Sequence, residues 1–192
     1  MGFQIEDGGG SGKTAQIAEI GSVRRLNTYA LITDALEEFG HIGQAYWIAT
    51  DFIALTTTAS FSGILYIKNT SLTDRIHIAF WRQSSTVNCL WQVHKNPTTG
   101  TLITGGTAVT PENAQFSSGK SLAGTAIKGA DALTVTNGTL IGQHATSAYN
   151  ALPLNIGGGL VLETNNTVAV SAKPTVAGSV GITLTLWHEI NQ

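Results

Sequence analysis

Asp7-Gly8-Gly9-Gly10-Ser11-Gly12-Lys13-Thr14 is the stretch closest to a chemical motif. A glycine-rich turn ending in Gly-Lys-Thr holds phosphates when its amides and a helix N-terminus converge on them. That pattern needs glycine at position 7, where this chain has Asp7. It also needs a buried strand before the turn and a helix after it. Charged Glu6-Asp7 lead in, and Gly21 interrupts the following AQIAEIGSVRR. GGGSG therefore reads as a flexible linker, and no nucleotide cofactor is expected.

The other reactive residue types are scattered. The five histidines, His41, His77, His94, His144 and His188, form no HxH, HxxxH or HExxH pair, so no metal site is expected. The 12 acids offer no evident pair across a sugar cleft, and no GxSxG elbow presents a nucleophilic serine. Cys89, the single cysteine, lies beside Leu90 and Trp91 and reads as a small buried hydrophobe. No enzymatic activity is expected. Trp47, Trp81, Trp91 and Trp187 could stack on sugars. Packing between sheets or subunits is the preferred reading, with Trp81 and Trp187 placed opposite the more apolar faces of their strands. Asn69, Asn137 and Asn165 begin N-x-[ST] triplets, which mean little without a secretory leader.

The block that must position these residues runs from Ser60 to Lys95 and closes at Asn96-Pro97-Thr98-Thr99-Gly100. Ile76, Ile78 and Phe80 alternate with Arg75, His77 and Trp81 across them, a strand period. Cys89, Trp91 and Val93 alternate with Gln92 and His94. Near the C-terminal end, Ile182, Leu184, Leu186 and His188 share one face, with Thr183, Thr185, Trp187 and Glu189 on the other. AYWIAT, FIALTTT, LITGGTAV, LTVT, TLIGQ, LPLNI, LVLET and VAVSAK add further strand candidates. Asn137-Gly138, between Val135 and Leu140, predicts a hairpin, and Asn165-Asn166 predicts a turn. Thr110 to Asp131 reads as a long loop of the kind that binds or covers something. About ten strands at regular spacing predict an all-β fold, a β-sandwich or jelly roll with an extended N-terminal arm. The arm is placed at 1–44, with helical turns at Thr33–Gly40, and the body at 45–192.

Composition agrees with that class. Charged residues make up 11% of 192, with 22 glycines and 4 prolines. So sparse a charge fits a large protein-facing surface or a neutral, Thr-rich sandwich of extracellular type. Net charge is −2, too little positive charge for a nucleic-acid footprint. No apolar run reaches membrane-spanning length, and MGFQIEDGGG lacks a leader's basic start, so neither a membrane nor export by a leader is expected.

Two sets of residues carry a resemblance. Thr14-Ala15-Gln16-Ile17-Ala18-Glu19-Ile20-Gly21-Ser22-Val23-Arg24-Arg25-Leu26 resembles the T-x-x-A-x-V…R-L lead-in of tailed-phage virion structural proteins, departing from it at Ile20 and Arg25. His94 to Leu102, Ser117 to Leu122 and Ala126 to Ala130 are similar to the NPTTGT…FGSSNTL…A-x-KG pattern of the same proteins. The resemblance implies a capsid decoration, or cement, protein of a bacteriophage. It implies a non-enzymatic β-sandwich, often a homotrimer, on the outer capsid surface of the virion, with the major capsid protein as partner. The arm residues implied to meet the capsid are Ile17, Ile20, Val23, Arg24, Arg25 and Leu26. The alternatives are a tail or spike module that binds host-surface glycan, and a minor head or neck protein.

Overall fold

The computed structural model describes residues 5–6, 14–15, 17–20, 23–26, 39–40 and 42–189, with the backbone alone described before residue 27 and at 154–158. The chain divides into two units, Met1–Glu38 and Phe39–Gln192. The first contains β1 (Ile5–Glu6), β2 (Thr14–Ala15), β3 (Ile17–Ile20) and β4 (Val23–Leu26). Antiparallel pairing joins β1 to β2 and β3 to β4. Of the helical turns expected at Thr33–Gly40, residues 33–38 lie outside the described residues, and Phe39–Gly40 are helical.

The second unit is a two-sheet antiparallel sandwich. Its principal strands are β5 (Ala45–Ala49), β6 (Ile53–Leu55), β7 (Ser62–Asn69), β8 (Arg75–Ser85) and β9 (Cys89–Lys95). After an insertion come β13 (Thr139–Thr146), β14 (Ala151–Leu162), β15 (Thr167–Pro174) and β16 (Gly178–Glu189). One sheet has the order β5-β16-β8-β14, with β6 also on β16, and the other β7-β15-β9-β13. Successive strands thus alternate between sheets, except that β9 and β13, on either side of the insertion, pair within one sheet, and late strands return beside early ones. With β5 and β6 taken as one interrupted strand, this is the jelly roll expected from sequence. The interruption is local: Thr50 N–H donates to the Ile182 carbonyl at 3.0 Å, and Ile182 N–H donates to Thr50 Oγ1 at 3.0 Å. Ile48, Ile64, Ile67, Ile78, Trp91, Leu184 and their neighbours fill the space between the sheets.

The insertion, residues 96–138, holds α1 (Thr101–Gly105), β10 (Thr107–Val109), β11 (Glu112–Asn113) and β12 (Gly124–Lys128). β12 extends one sheet beyond β7, and β11 extends the other beyond β5. The loop expected over Thr110–Asp131 therefore contains two strands. LITGGTAV is not a strand throughout, because its first half is α1. A helical turn lets Leu102 and Ile103 both face Tyr66 and Ala169 on the outer side of β7 and β15, which alternation along a strand would forbid. Leu102 is fully buried there, and Gly129 lies so close to β7 that a Cβ would collide with the Gly63 carbonyl. β7 consequently has both faces covered.

Other expectations are also corrected. LTVT forms no strand, and Asn137-Gly138 closes no hairpin: Thr136 makes an isolated bridge to Thr99, and β13 pairs with β9 instead. Asn137 does adopt the left-handed turn conformation, φ 60°. The two runs flanking Gly157-Gly158-Gly159 belong to one strand, β14, whose pairing with β8 shifts between Asn155 and Leu160. Pro153 is tolerated because β14 is an edge strand. In β8 the register shifts at Ala79, and the face reverses beyond it. Trp81 is therefore buried, and Phe80 is half-buried on the outer face, the reverse of the expected alternation.

The insertion's anchor can be tested. Leu102→Ala should cost about 2–5 kcal/mol in urea unfolding, through lost burial and the cavity left behind. Leu72→Ala, at a position 85% exposed, should change stability by no more than about 0.5 kcal/mol.

Candidate interaction surfaces

All six residues expected to meet a capsid fall on the β3–β4 pair. The register sets Ile17 opposite Leu26, Ala18 opposite Arg25, Glu19 opposite Arg24, and Ile20 opposite Val23. Close spacing in sequence thus becomes cross-strand neighbourhood. The phosphate-loop-like stretch at 7–13 lies outside the described residues.

The titratable residues of the body are built into structure. Burial pushes the Cys89 thiol up to about 12, so it stays protonated and unreactive at neutral pH. Burial lowers the pKa of His94 and His144. Burial also lowers that of His188, partly opposed by the charge of Asp74. Low pKa values favour neutral rings at pH 7. His144 contacts Gln83 between the sheets. His77 Nε2 lies 2.6 Å from Glu189 Oε2, and Arg75 Nε pairs with Glu163 at 3.0 Å. His41 lies outside the described residues. Among the described residues no group of three His, Cys, Asp or Glu is placed to hold a metal ion.

The tryptophans separate into two kinds. Trp91 is fully buried and donates its indole N–H to Thr146 Oγ1 at 2.9 Å. Trp81 is 2% exposed, so it presents no ring to a sugar. Trp187 is half-buried, stacked between Phe39 (5.8 Å between ring centroids) and His77 (5.1 Å). Trp47 alone is mainly exposed, at 57%. Asn69 is fully buried, donating to the Asp74 and Leu162 carbonyls at 2.8 Å, and so cannot carry a surface glycan.

A different residue stands out on the surface. Phe116 has its whole side chain in solvent, and the loop carrying it is firmly tied. Gln115 N–H donates to Asn113 Oδ1 at 2.9 Å, and Asn113 Nδ2 donates to the Gly43 carbonyl at 2.9 Å. Ser118 N–H donates to the Gln115 carbonyl at 2.8 Å, and Lys120 Nζ donates to the Ile42 carbonyl at 2.6 Å. Pairing of Glu112 with Trp47 brings the base of this loop to the exposed tryptophan, and Ile42, 45% exposed, lies under the Lys120 contact. The loop base is thus fixed while the aromatic ring it carries stays in water. Sequence reasoning marked the segment as a binding or covering loop but passed over Phe116. The usable signal was one aromatic among Asn, Gln, Ser and Gly, in the polar run NAQFSSGK that cannot bury it.

A second tie holds the insertion to the sandwich. The Asp131 carboxylate accepts from Thr56 N–H at 3.0 Å, Thr57 N–H at 3.1 Å and Ala132 N–H at 3.1 Å, and from the Thr56 hydroxyl. Burial raises its pKa, but the hydrogen bonds from Thr56 and Thr57 outweigh that and hold it at about 2.

Comparison with protein-family models, curated proteins and solved structures finds no match to this chain.

The Asp131 tie has a pH signature. A carboxyl held below its unfolded value of about 3.9 stabilises the fold above that pH and loses the contribution as pH falls toward 2. Asp131→Asn should lower Tm at pH 7, and the gap from the parent protein should narrow between about pH 4 and pH 2. A gap that stays constant over that range would show that the carboxylate charge is not what holds the loop.

Proposed function

We propose that this protein is a non-enzymatic bacteriophage capsid decoration protein that binds the outside of the assembled head and stabilises it across seams between capsid subunits. The observation that carries this reading is the tied loop that holds Phe116 in solvent, with its base at Trp47 and Ile42. The segments that resemble virion proteins supply much of the same insertion. His94–Leu102 leads into α1, Ser117–Leu122 continues the Phe116 loop, and Ala126–Ala130 includes the end of β12. Of their apolar members, Pro97, Leu102, Leu122 and Ala126 are buried, Ile127 is half-buried and Ala130 is exposed.

Such a protein acts by linkage. A partner that binds only the expanded shell stabilises it by RT ln(1 + [L]/Kd). Association as a homotrimer multiplies weak single contacts through effective concentration. The major capsid protein is the partner, no cofactor is required, and the location is the outer capsid surface. In this reading the β3–β4 residues Ile17, Ile20, Val23, Arg24, Arg25 and Leu26 add a second contact.

Co-sedimentation with emptied, expanded heads lacking the protein is the test, with tails of the same phage as control. Saturable binding to heads at a fixed ratio to the capsid protein is expected. Phe116→Ser should weaken binding about tenfold or more, as loss of an interface aromatic does, with Tm unchanged. Deleting residues 1–32 should leave the sandwich folded and weaken head binding further. Binding to tails but not heads would end the capsid reading. Unchanged affinity in both variants would remove these two contacts from it.

A further inference from the structure

A polar groove lies at the end of the sandwich where β7 and β9 finish and β15 begins. It encloses about 450 Å³ on the outer side of the β7-β15-β9 sheet, lined by Tyr66 and Lys68 from β7, Thr98 after β9, and Asn165, Asn166 and Thr167 at the β14–β15 turn. A second hollow of about 230 Å³ shares Asn96, Asn166 and Thr167 with it and adds Lys95 beside a mainly apolar wall of residues 159–162 and Val168. The two hollows therefore meet over one row of residues.

That row is rigid. Thr167 N–H donates to Asn96 Oδ1 at 3.0 Å, Asn96 N–H donates to the Thr167 carbonyl at 2.8 Å, and Thr167 Oγ1 donates to the Pro97 carbonyl at 2.9 Å. Asn96 and Asn165 hold left-handed backbone, φ 50° and 63°, which fixes both turns. Polar capacity remains above this frame. Among the described residues, Asn96 Nδ2, the Asn165 and Asn166 side-chain amides and the Thr98 hydroxyl make no hydrogen bond, and Lys68 and Lys95 meet no carboxylate.

We propose that this groove binds an acidic saccharide. Side-chain amides and a hydroxyl offer the mixed donors and acceptors that sugar hydroxyls need. Lys68 in the first hollow and Lys95 in the second each offer an ammonium group that suits a carboxylate or sulfate on the sugar, and no acid lines either hollow to oppose it. Tyr66, 5% exposed, offers little ring for stacking, so selectivity comes from charge and hydrogen bonds. The groove uses neither Phe116 nor β3–β4, so this inference stands apart from the capsid reading.

The test is titration of the full chain, followed by 15N NMR, with sialyllactose, a hyaluronan tetrasaccharide and a heparin-derived disaccharide. Lactose serves as the uncharged control and inorganic phosphate as the bare anion. At least one acidic saccharide should shift the Lys68, Asn96 and Asn166 amides saturably and bind about tenfold or more tighter than lactose. The double variant Lys68→Met with Lys95→Met should lose that binding without a change in Tm, and Arg82→Met should keep it. Overturning results are no saturable shift with any of the three, equal binding of lactose, or binding retained in the double variant. Equal shifts and affinity with phosphate would mean an adventitious ion only, and would also overturn the proposal.

Discussion

The register shift at Ala79 governs much of what the rest of the sandwich must do. β8 is an interior strand, paired to β16 on one side and β14 on the other, and both pairings step past Ala79. An extra residue reverses the side-chain alternation beyond it. Ile76 and Ile78 point into the sandwich before the shift, and Trp81, Gln83 and Ser85 do so after it. The shift thus brings three polar-capable side chains inside. Ser85 Oγ lies 3.0 Å from Thr146 Oγ1, which accepts the Trp91 indole N–H, so a hydrogen-bonded chain crosses from one sheet to the other. Buried hydroxyls and an indole nitrogen would be costly alone, and paired they fix how the two sheets align.

This also explains what the residues alone could and could not reveal. β9 and β16 keep strict alternation, and their inward sets were readable, even His188, because neither contains an inserted residue. β8 looks as regular as they do in sequence. Its reversal comes from how neighbouring strands pair, which a local pattern does not encode. β14 is the opposite case. Three glycines separate LPLNI from LVLET in the sequence, yet an edge strand needs partners on only one side and accepts them, and Pro153 with them. Asn137-Gly138 carried the right local turn chemistry, but Thr99 and β9 took the partners that a hairpin would have used. Both surfaces are further still from local patterns. The groove draws on residues near 66–68, 95–98 and 165–167, which only the jelly-roll order brings to one end.

The insertion between β9 and β13 solves a problem set by composition. With few charged residues, an outer sheet face has little to keep it wet, and Tyr66 and Ala169 face outward from β7 and β15. α1 covers them with Leu102, and Asp131 ties the far end of the covering segment to Thr56 and Thr57. Stability of the sheet and shape of the surface are thereby coupled, because the segment that buries one apolar face also carries the Phe116 loop.

That coupling argues about the direction of selection on this surface. A loop free to collapse would fold Phe116 onto apolar surface, since burying an aromatic ring is favourable by a few kcal/mol. Instead Asn113 and Lys120 spend their polar atoms on Gly43 and Ile42 carbonyls, fixing the loop base so that the ring stays outside. Holding a contact residue in place before binding lowers the ordering cost when the partner arrives. The groove at the other set of turns follows the same logic with different chemistry. Backbone and Thr167 hydrogen bonds fix the frame, and the amides and ammonium groups above it are left for a ligand. In both places the fold saturates the atoms that set geometry and leaves unsaturated those that would meet a partner, so that specificity comes from groups held in place before any contact is made.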